Sequence, residues 1–189
     1  MLFCWVSLTQ PSRSIVARRE YHHKTLTRLS GNRPQAACYA LAATIFGLGL
    51  VRDYLFHQAL LDQPTHALLQ TRAAHLVAYM LLAAGNTLVL SSTWALGITG
   101  TFLGDYFGIL NEGGMVTGFP FNVTDAPMYW GSTLSFIGGA VLLGRPAGLL
   151  IALEVWAVYK VALRFEDAFT REIYAKRDRE RAAVGKKMR

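Results

Sequence analysis

Acidic residues stand at the ends of long apolar runs, where a carboxylate could take part in chemistry. Glu166 and Asp167 follow the last apolar run. Adjacent acids where an apolar helix meets water are usually solvated ends, and their functional interpretation is attraction for a cationic ligand. Asp105 stands between glycine and tyrosine at another such boundary, where a carboxylate could accept a proton.

Aromatic residues lie close to these acids in the sequence: Tyr106, Phe107, Tyr129 and Trp130. Aromatic faces accommodate bulky cations well. Aromatic residues also gather at membrane interfaces without any ligand, and the two interpretations stand at even odds. Glu154 lies inside an apolar run, where an ionisable group is costly and is a candidate for function. Contact with a neighbouring helix or a small wet cavity is the favoured interpretation for Glu154.

Metal and redox chemistry find little support in the sequence. The five histidines show no metal-ligand spacing on one predicted helical face. Two cysteines cannot form a disulfide framework. We therefore predict no bound metal.

Four apolar segments are the elements that must position these residues. A helix needs about 20 mostly apolar residues to cross the hydrocarbon core, and the candidates are residues 34–51, 76–100, 126–144 and 146–163. The short turn at residues 144–146 predicts that the last two form a C-terminal helical hairpin. The predicted fold class is all-α, an integral membrane helical bundle of three to four apolar helices. The segment 126–144 could cross fully or dip in from one face.

Charge is concentrated at the two ends of the chain. Of 189 residues 52% are hydrophobic and 16% are charged, against roughly 25% charged in ordinary soluble domains. Six basic residues precede the first apolar segment and nine follow the last. A nucleic-acid binder would spread its basic residues over a folded surface, so we predict no nucleic-acid partner. We expect a basic N-terminal segment 1–33, a single domain 34–189 and a cytoplasmic tail 164–189.

Two runs carry a specific resemblance. Residues 101–110 read TFLGDYFGIL, and residues 119–133 read FPFNVTDAPMYWGST. Together with SIVARREYHHKT near the start and FTREIY near the end, they resemble the phosphatidylethanolamine N-methyltransferase family over roughly residues 15–177. The first dozen residues depart from the family, and we expect its N-terminal membrane-associated helix to be missing or replaced here.

The resemblance implies three successive methyl transfers from S-adenosylmethionine to phosphatidylethanolamine, giving phosphatidylcholine, at the endoplasmic reticulum and mitochondria-associated membranes. It also implies two cofactor-binding motifs. A G-x-G motif falls on Ala83, Ala84 and Gly85, so alanine replaces the first glycine. An acid pair falls on Glu166 and Asp167, so aspartate replaces a second glutamate. Taken without the family, Gly85 is more simply a helix-packing contact.

The implied reaction needs a proton acceptor. The lipid amine should be mostly protonated at neutral pH, as a lysine amine with a pKa of about 10.4 is, and a protonated nitrogen has no lone pair. Asp105 is the first candidate base and Glu166 the second. The site should lie where water meets lipid, with the phospholipid entering sideways and the cofactor arriving from the cytoplasm.

Two other functions remain open on the sequence alone. One is a related membrane methyltransferase that acts on another lipid or on a prenylated cysteine carboxylate, which needs no deprotonating base. The other is a non-catalytic helical membrane protein, such as an assembly or trafficking factor.

Overall fold

The computed structural model describes residues 18–111 and 114–187, without the side chains of residue 167 and residues 184–187. The expectation about the first dozen residues therefore lies outside the described part. Residues 18–23 are helical, and no strand occurs in the described ranges. The remaining helices, in chain order, are α1 (Thr25–Leu29), α2 (Pro34–Leu61), a 3-10 helix (Ala67–Gln70), α3 (Arg72–Thr101), a second 3-10 helix (Gly104–Phe107), α4 (Pro127–Leu142) and α5 (Pro146–Lys187). The all-α prediction is confirmed.

Three of the described helical stretches are long and apolar enough to cross a membrane. They are Pro34–Leu61, Arg72–Phe107 and Pro146–Ala183. Only 17%, 11% and 28% of the residues in their most apolar windows are buried inside the protein. Most of their apolar side chains therefore point outward, which is the arrangement expected where the surrounding solvent is lipid.

The first spanning helix is longer than the predicted segment 34–51. It continues to Leu61 because the charges of Arg52 and Asp53 neutralise each other within the helix. Their side chains form an ion pair at 2.8 Å, and Arg52 also donates a hydrogen bond to the Tyr159 hydroxyl at 3.0 Å. A charged residue thus ends an apolar run here without ending the helix.

The segment 126–144 forms α4, which has 16 residues and is about 24 Å long. The hydrocarbon core is about 30 Å thick, so α4 is shorter than the three spanning stretches. It begins at Pro127, where the missing backbone donor costs nothing. Its buried residues include Gly131, Phe136 and Ala140, so α4 packs inside the bundle.

Glycines let α3 and α4 approach closely. A Cβ atom on Gly85 would lie 2.6 Å from the carbonyl oxygen of Gly131, and one on Gly131 would lie 2.6 Å from the carbonyl oxygen of Gly85. Farther along, a Cβ on Gly138 would lie 3.1 Å from the carbonyl oxygen of Ala78. Small residues are the means by which helices pack in lipid, where close van der Waals contact is the main attraction.

The predicted hairpin of α4 and α5 is present. Gly144 adopts a φ of 68°, and the amide of Arg145 donates to the carbonyl of Ala140, which closes the end of α4. A Cβ on Gly148 would lie 2.6 Å from that of Ala140, so the two helices touch directly after the turn. Phe56 from α2 packs into the same core, edge-on to Phe136 with ring centroids 4.7 Å apart.

A buried carboxylate holds the segment before α2. Glu20 is 1% exposed and accepts hydrogen bonds from the amides of Leu26 and Thr27 and from the Thr27 hydroxyl. Burial acts to raise the pKa of Glu20, but these hydrogen bonds outweigh it and leave the pKa below its usual 4.5. Glu20 therefore satisfies the free amides at the start of α1.

We expect Gly131→Ala to destabilise the protein by about 1–3 kcal/mol, because the added methyl group collides with the backbone of α3. Thermal unfolding in detergent measures this effect. Gly49→Ala is the matched control, since a Cβ on Gly49 would meet no atom within 4 Å. Equal melting temperatures for the two variants would contradict the close helix contact.

Replacing Glu20 by glutamine should loosen α1 at neutral pH by about 1–3 kcal/mol, since charged hydrogen bonds are lost. The wild-type contribution is present above the unfolded pKa near 4.5 and is lost as pH falls through the lower folded pKa. Hydrogen exchange at the amides of Leu26 and Thr27 should therefore differ between the variants at pH 7 and converge at acidic pH. A difference that persists in acid would contradict this role.

Candidate active site

A cavity of about 660 Å³ lies where α3, α4 and α5 meet the 3-10 helix Gly104–Phe107. Its walls carry three acids, Asp105, Asp125 and Glu166, one basic residue, Arg171, and aromatic residues that include Tyr106 and Tyr129. The sequence-predicted acids Asp105 and Glu166, which lie 61 residues apart in the chain, thus share one cavity. Their grouping makes the cavity suited to a cationic ligand.

The chain reverses sharply to place Asp105. Leu103 and Gly108, on either side of the 3-10 helix, adopt φ values of 62° and 78°. A Cβ on Gly104 would lie 2.6 Å from the carbonyl oxygen of Thr99, so only glycine fits there. This turn buries Tyr106 and Phe107 and leaves Asp105 at the cavity wall.

Asp105 is held by α5. The Tyr174 hydroxyl donates a hydrogen bond to its carboxylate at 3.2 Å. Arg177 stacks on the Tyr174 ring, 4.8 Å from the centroid, and donates to the carbonyl of Asn111 at 2.7 Å. Arg177 therefore ties the loop after Asp105 to the helix that holds the carboxylate.

Glu166 is held by α4. The Tyr129 hydroxyl donates a hydrogen bond to its carboxylate. The Tyr129 ring packs edge-on against Tyr159 with centroids 4.8 Å apart, and Tyr159 accepts the hydrogen bond from Arg52. A chain of contacts from α2 through α5 to α4 thus orients Glu166, and each candidate acid has its own tyrosine partner.

The other predicted aromatic residues lie in three different places. Tyr106 lines the cavity and stacks on Phe169 with centroids 5.1 Å apart. Phe107 instead packs in a separate core with Ala37 and Cys38. Trp130 lies in a small groove beside the cavity, with its ring 5.6 Å from the Lys160 ammonium.

The predicted motif at Ala83, Ala84 and Gly85 does not meet the acids in the described structure. The first residue of α3 on the cavity wall is Ala95, ten residues beyond Gly85 and about 15 Å along the helix. Ala83 and Ala84 are exposed, while Gly85 packs against α4. The side chain of Asp167 lies outside the described part, so its role stays a prediction.

Sequence reasoning missed several side chains that line the cavity, among them Asp125 and, on α5, Thr170, Arg171 and Tyr174. A sequence signal for Thr170 and Tyr174 was available, because Glu166, Thr170 and Tyr174 follow one another at intervals of four residues and so share a helical face.

For metals, no group of three or more His, Cys, Asp or Glu residues that could hold an ion occurs among residues 18–111 and 114–187.

Comparison with known proteins identifies the family of this chain. A family model described as phospholipid methyltransferase matches residues 73–177, a region that contains every lining residue of the cavity. The chain belongs to the phospholipid methyltransferase family. The resemblance drawn from the sequence is thereby confirmed.

Several named methyltransferases are similar to this chain. A phosphatidyl-N-methylethanolamine N-methyltransferase of Neurospora crassa is 65% identical over 169 residues, 89% of this chain and 78% of that protein. The protein of the same name in Saccharomyces cerevisiae is 53% identical over 166 residues, 88% and 80% of the two chains. The phosphatidylethanolamine N-methyltransferase of Homo sapiens is 50% identical over 161 residues, 85% and 80%. No solved structure matches the chain.

Proposed function

We propose that this methyltransferase transfers methyl groups from S-adenosylmethionine to the amine of phosphatidylethanolamine, through the mono- and dimethyl lipids to phosphatidylcholine. The observation that carries the proposal is the acid-walled cavity at the ends of two apolar helices, inside the region matched by the family. Membrane-crossing helices suit a substrate that is anchored by its acyl chains. The relatives are named as N-methyltransferases of ethanolamine phospholipids, which supports an amine headgroup as the acceptor.

The acids fit the charge of the methyl donor. S-adenosylmethionine, when bound, supplies an electrophilic methyl group on a sulfonium and carries a second positive charge on its amino group. Glu166 faces the cavity together with Asp105 and attracts these charges at short range. We assign Glu166 and its neighbour Asp167 as cofactor contacts. Ala83, Ala84 and Gly85 stay cofactor contacts on the family resemblance alone, because their geometry favours packing.

Asp105 is the proposed base. It accepts the proton of the lipid ammonium, which frees the nitrogen lone pair for attack on the methyl carbon. The Tyr174 hydroxyl, 3.2 Å away, keeps the carboxylate directed at one position. Holding the amine in line with the methyl group then supplies much of the rate, since the transfer needs no covalent enzyme intermediate.

Aromatic walls suit the growing headgroup. Each methylation makes the product a bulkier cation, and aromatic faces bind such cations without strong hydrogen bonds. Tyr106 and Tyr129 supply these faces inside the cavity. The groove beside the cavity shares Tyr129 and Leu163 with it and carries the exposed Lys160. A lysine there suits the lipid phosphate and supports sideways entry of the phospholipid.

The membrane helices and the charge distribution support a proposed location. The tail from residue 164 carries nine basic residues, and basic segments are retained on the cytoplasmic side. We therefore place the tail in the cytoplasm. With the family resemblance, the proposed site of action is the endoplasmic reticulum membrane and the mitochondria-associated membranes.

A second candidate differs only in the first acceptor. Four fungal relatives, 50–65% identical to this chain, are named phosphatidyl-N-methylethanolamine N-methyltransferase. If this chain shares their named substrate, it begins on the monomethyl lipid and adds the last methyl groups. The chemistry at Asp105 is the same in both cases, because a secondary ammonium also has to lose its proton.

The test is expression in cells that lack phospholipid methylation, followed by incubation of their membranes with labelled S-adenosylmethionine. We expect label in mono-, di- and trimethylated lipids when phosphatidylethanolamine is supplied. Label that requires added phosphatidyl-N-methylethanolamine would support the second candidate. Label in prenylated protein, or no label under any condition, would overturn both.

For Glu166→Gln we predict that the KM for S-adenosylmethionine rises by about tenfold, since a favourable charge interaction of roughly 1–2 kcal/mol is lost. Glu172→Gln is the matched control, because Glu172 is exposed on the same helix and does not line the cavity. Initial rates at varied cofactor concentration measure both variants. Equal KM values for the two would remove Glu166 from the cofactor site.

A further inference from the structure

Helix α3 is broken at Gly97. This residue has a φ of 66° and a ψ of 178° inside the helix Arg72–Thr101. Only glycine adopts such a conformation readily, because a side chain would collide with its own backbone. The glycine is required by the backbone alone, since a Cβ at this position would meet no neighbouring atom within 4 Å.

The break faces the cavity. Residues on both sides of it, including Ala95, Thr99 and Thr101, line the cavity together with Gly97 itself. Gly97 lies 25 residues after Arg72, about 37 Å along the helix, and so near the end of the span that meets Asp105 and Glu166. Gly97 is exposed, so the broken turn is open on the cavity side.

A break of this kind leaves backbone groups without helical partners. A residue at these angles cannot continue the hydrogen-bond pattern, so carbonyl groups of the preceding turn lose their intrahelical donors. In a membrane-spanning segment such groups are tolerated where they line a polar cavity. Polar ligands of membrane proteins commonly bind at broken helices for this reason. The Thr101 hydroxyl oxygen is also buried, with no hydrogen-bond partner in the described part of the chain.

We propose that the break at Gly97 binds the methyl donor through backbone carbonyls of the turn before it, which includes the cavity-lining Ala95 and Leu96, and through the Thr101 hydroxyl. This inference rests on the proposed function. Carbonyl oxygens at the end of a helix accept hydrogen bonds and favour positive charge. S-adenosylmethionine offers several N–H and O–H donors on its amino groups and ribose, together with a sulfonium, whereas the lipid headgroup offers one ammonium beside a phosphate that only accepts. Several carbonyl acceptors in one turn therefore suit the cofactor, which has more donors to match them.

The principal test is Gly97→Ala, which should raise the KM for S-adenosylmethionine by at least about tenfold and leave the KM for the lipid within about twofold. Gly31→Ala is the matched control. Gly31 has a φ of 67°, its Cβ would also meet no atom within 4 Å, and it lies in the turn before α2. The control also places an alanine at a positive φ but away from the cavity, so both KM values should stay at their wild-type levels.

Thr101→Val tests the proposal without backbone strain and decides it if Gly97→Ala does not fold. It should raise the cofactor KM by about threefold or more, as expected for one lost hydrogen bond. A rise in the lipid KM instead, or unchanged cofactor KM in Thr101→Val, would overturn the proposal. Both experiments require an active wild-type protein, so a failure of the proposed function would be seen first in the wild-type assay.

Discussion

The close contact between Gly85 of α3 and Gly131 of α4 is the interaction on which the site depends. A Cβ atom added to either glycine would lie 2.6 Å from the carbonyl oxygen of the other, so neither position has room for a side chain. Tyr129 lies two residues before this contact, and the cavity-lining part of α3 lies ten or more residues beyond it. The crossing therefore sets the distance between the cavity wall formed by α3 and the wall formed by α4.

Two phenol–carboxylate pairs follow from that geometry. Tyr129 reaches Glu166 across α4 and α5, and Tyr174 reaches Asp105 across α5 and the 3-10 helix. Each pair joins residues that are distant in the chain, so the acids keep fixed positions although they line an open cavity. A site that brings together a soluble cation and an anchored lipid needs such fixed carboxylates, because positioning supplies much of the rate of a direct transfer.

The sequence predicted the apolar segments, the hairpin and two of the three acids of the cavity, because hydrophobic runs and turn residues are local signals. Sequence-based prediction failed where contacts with distant residues or the backbone conformation decide the structure. Arg52 looked like the end of a helix, but its contacts with Asp53 and Tyr159 let α2 continue. Gly97 could not be singled out, since glycines are frequent in membrane helices and only the observed backbone angles distinguish it from Gly85.

The altered motif at Ala83, Ala84 and Gly85 illustrates how packing restricts substitution. The family resemblance implies glycine at the first and third positions, whereas this chain has glycine only at the third. Ala83 is exposed on α3, so a methyl group there meets no opposing helix. Gly85 faces the carbonyl oxygen of Gly131, where a methyl group would force α3 and α4 apart. Contact between the two helices thus explains why residue 85 is glycine. A direct contact of Gly85 with the cofactor would be an additional role.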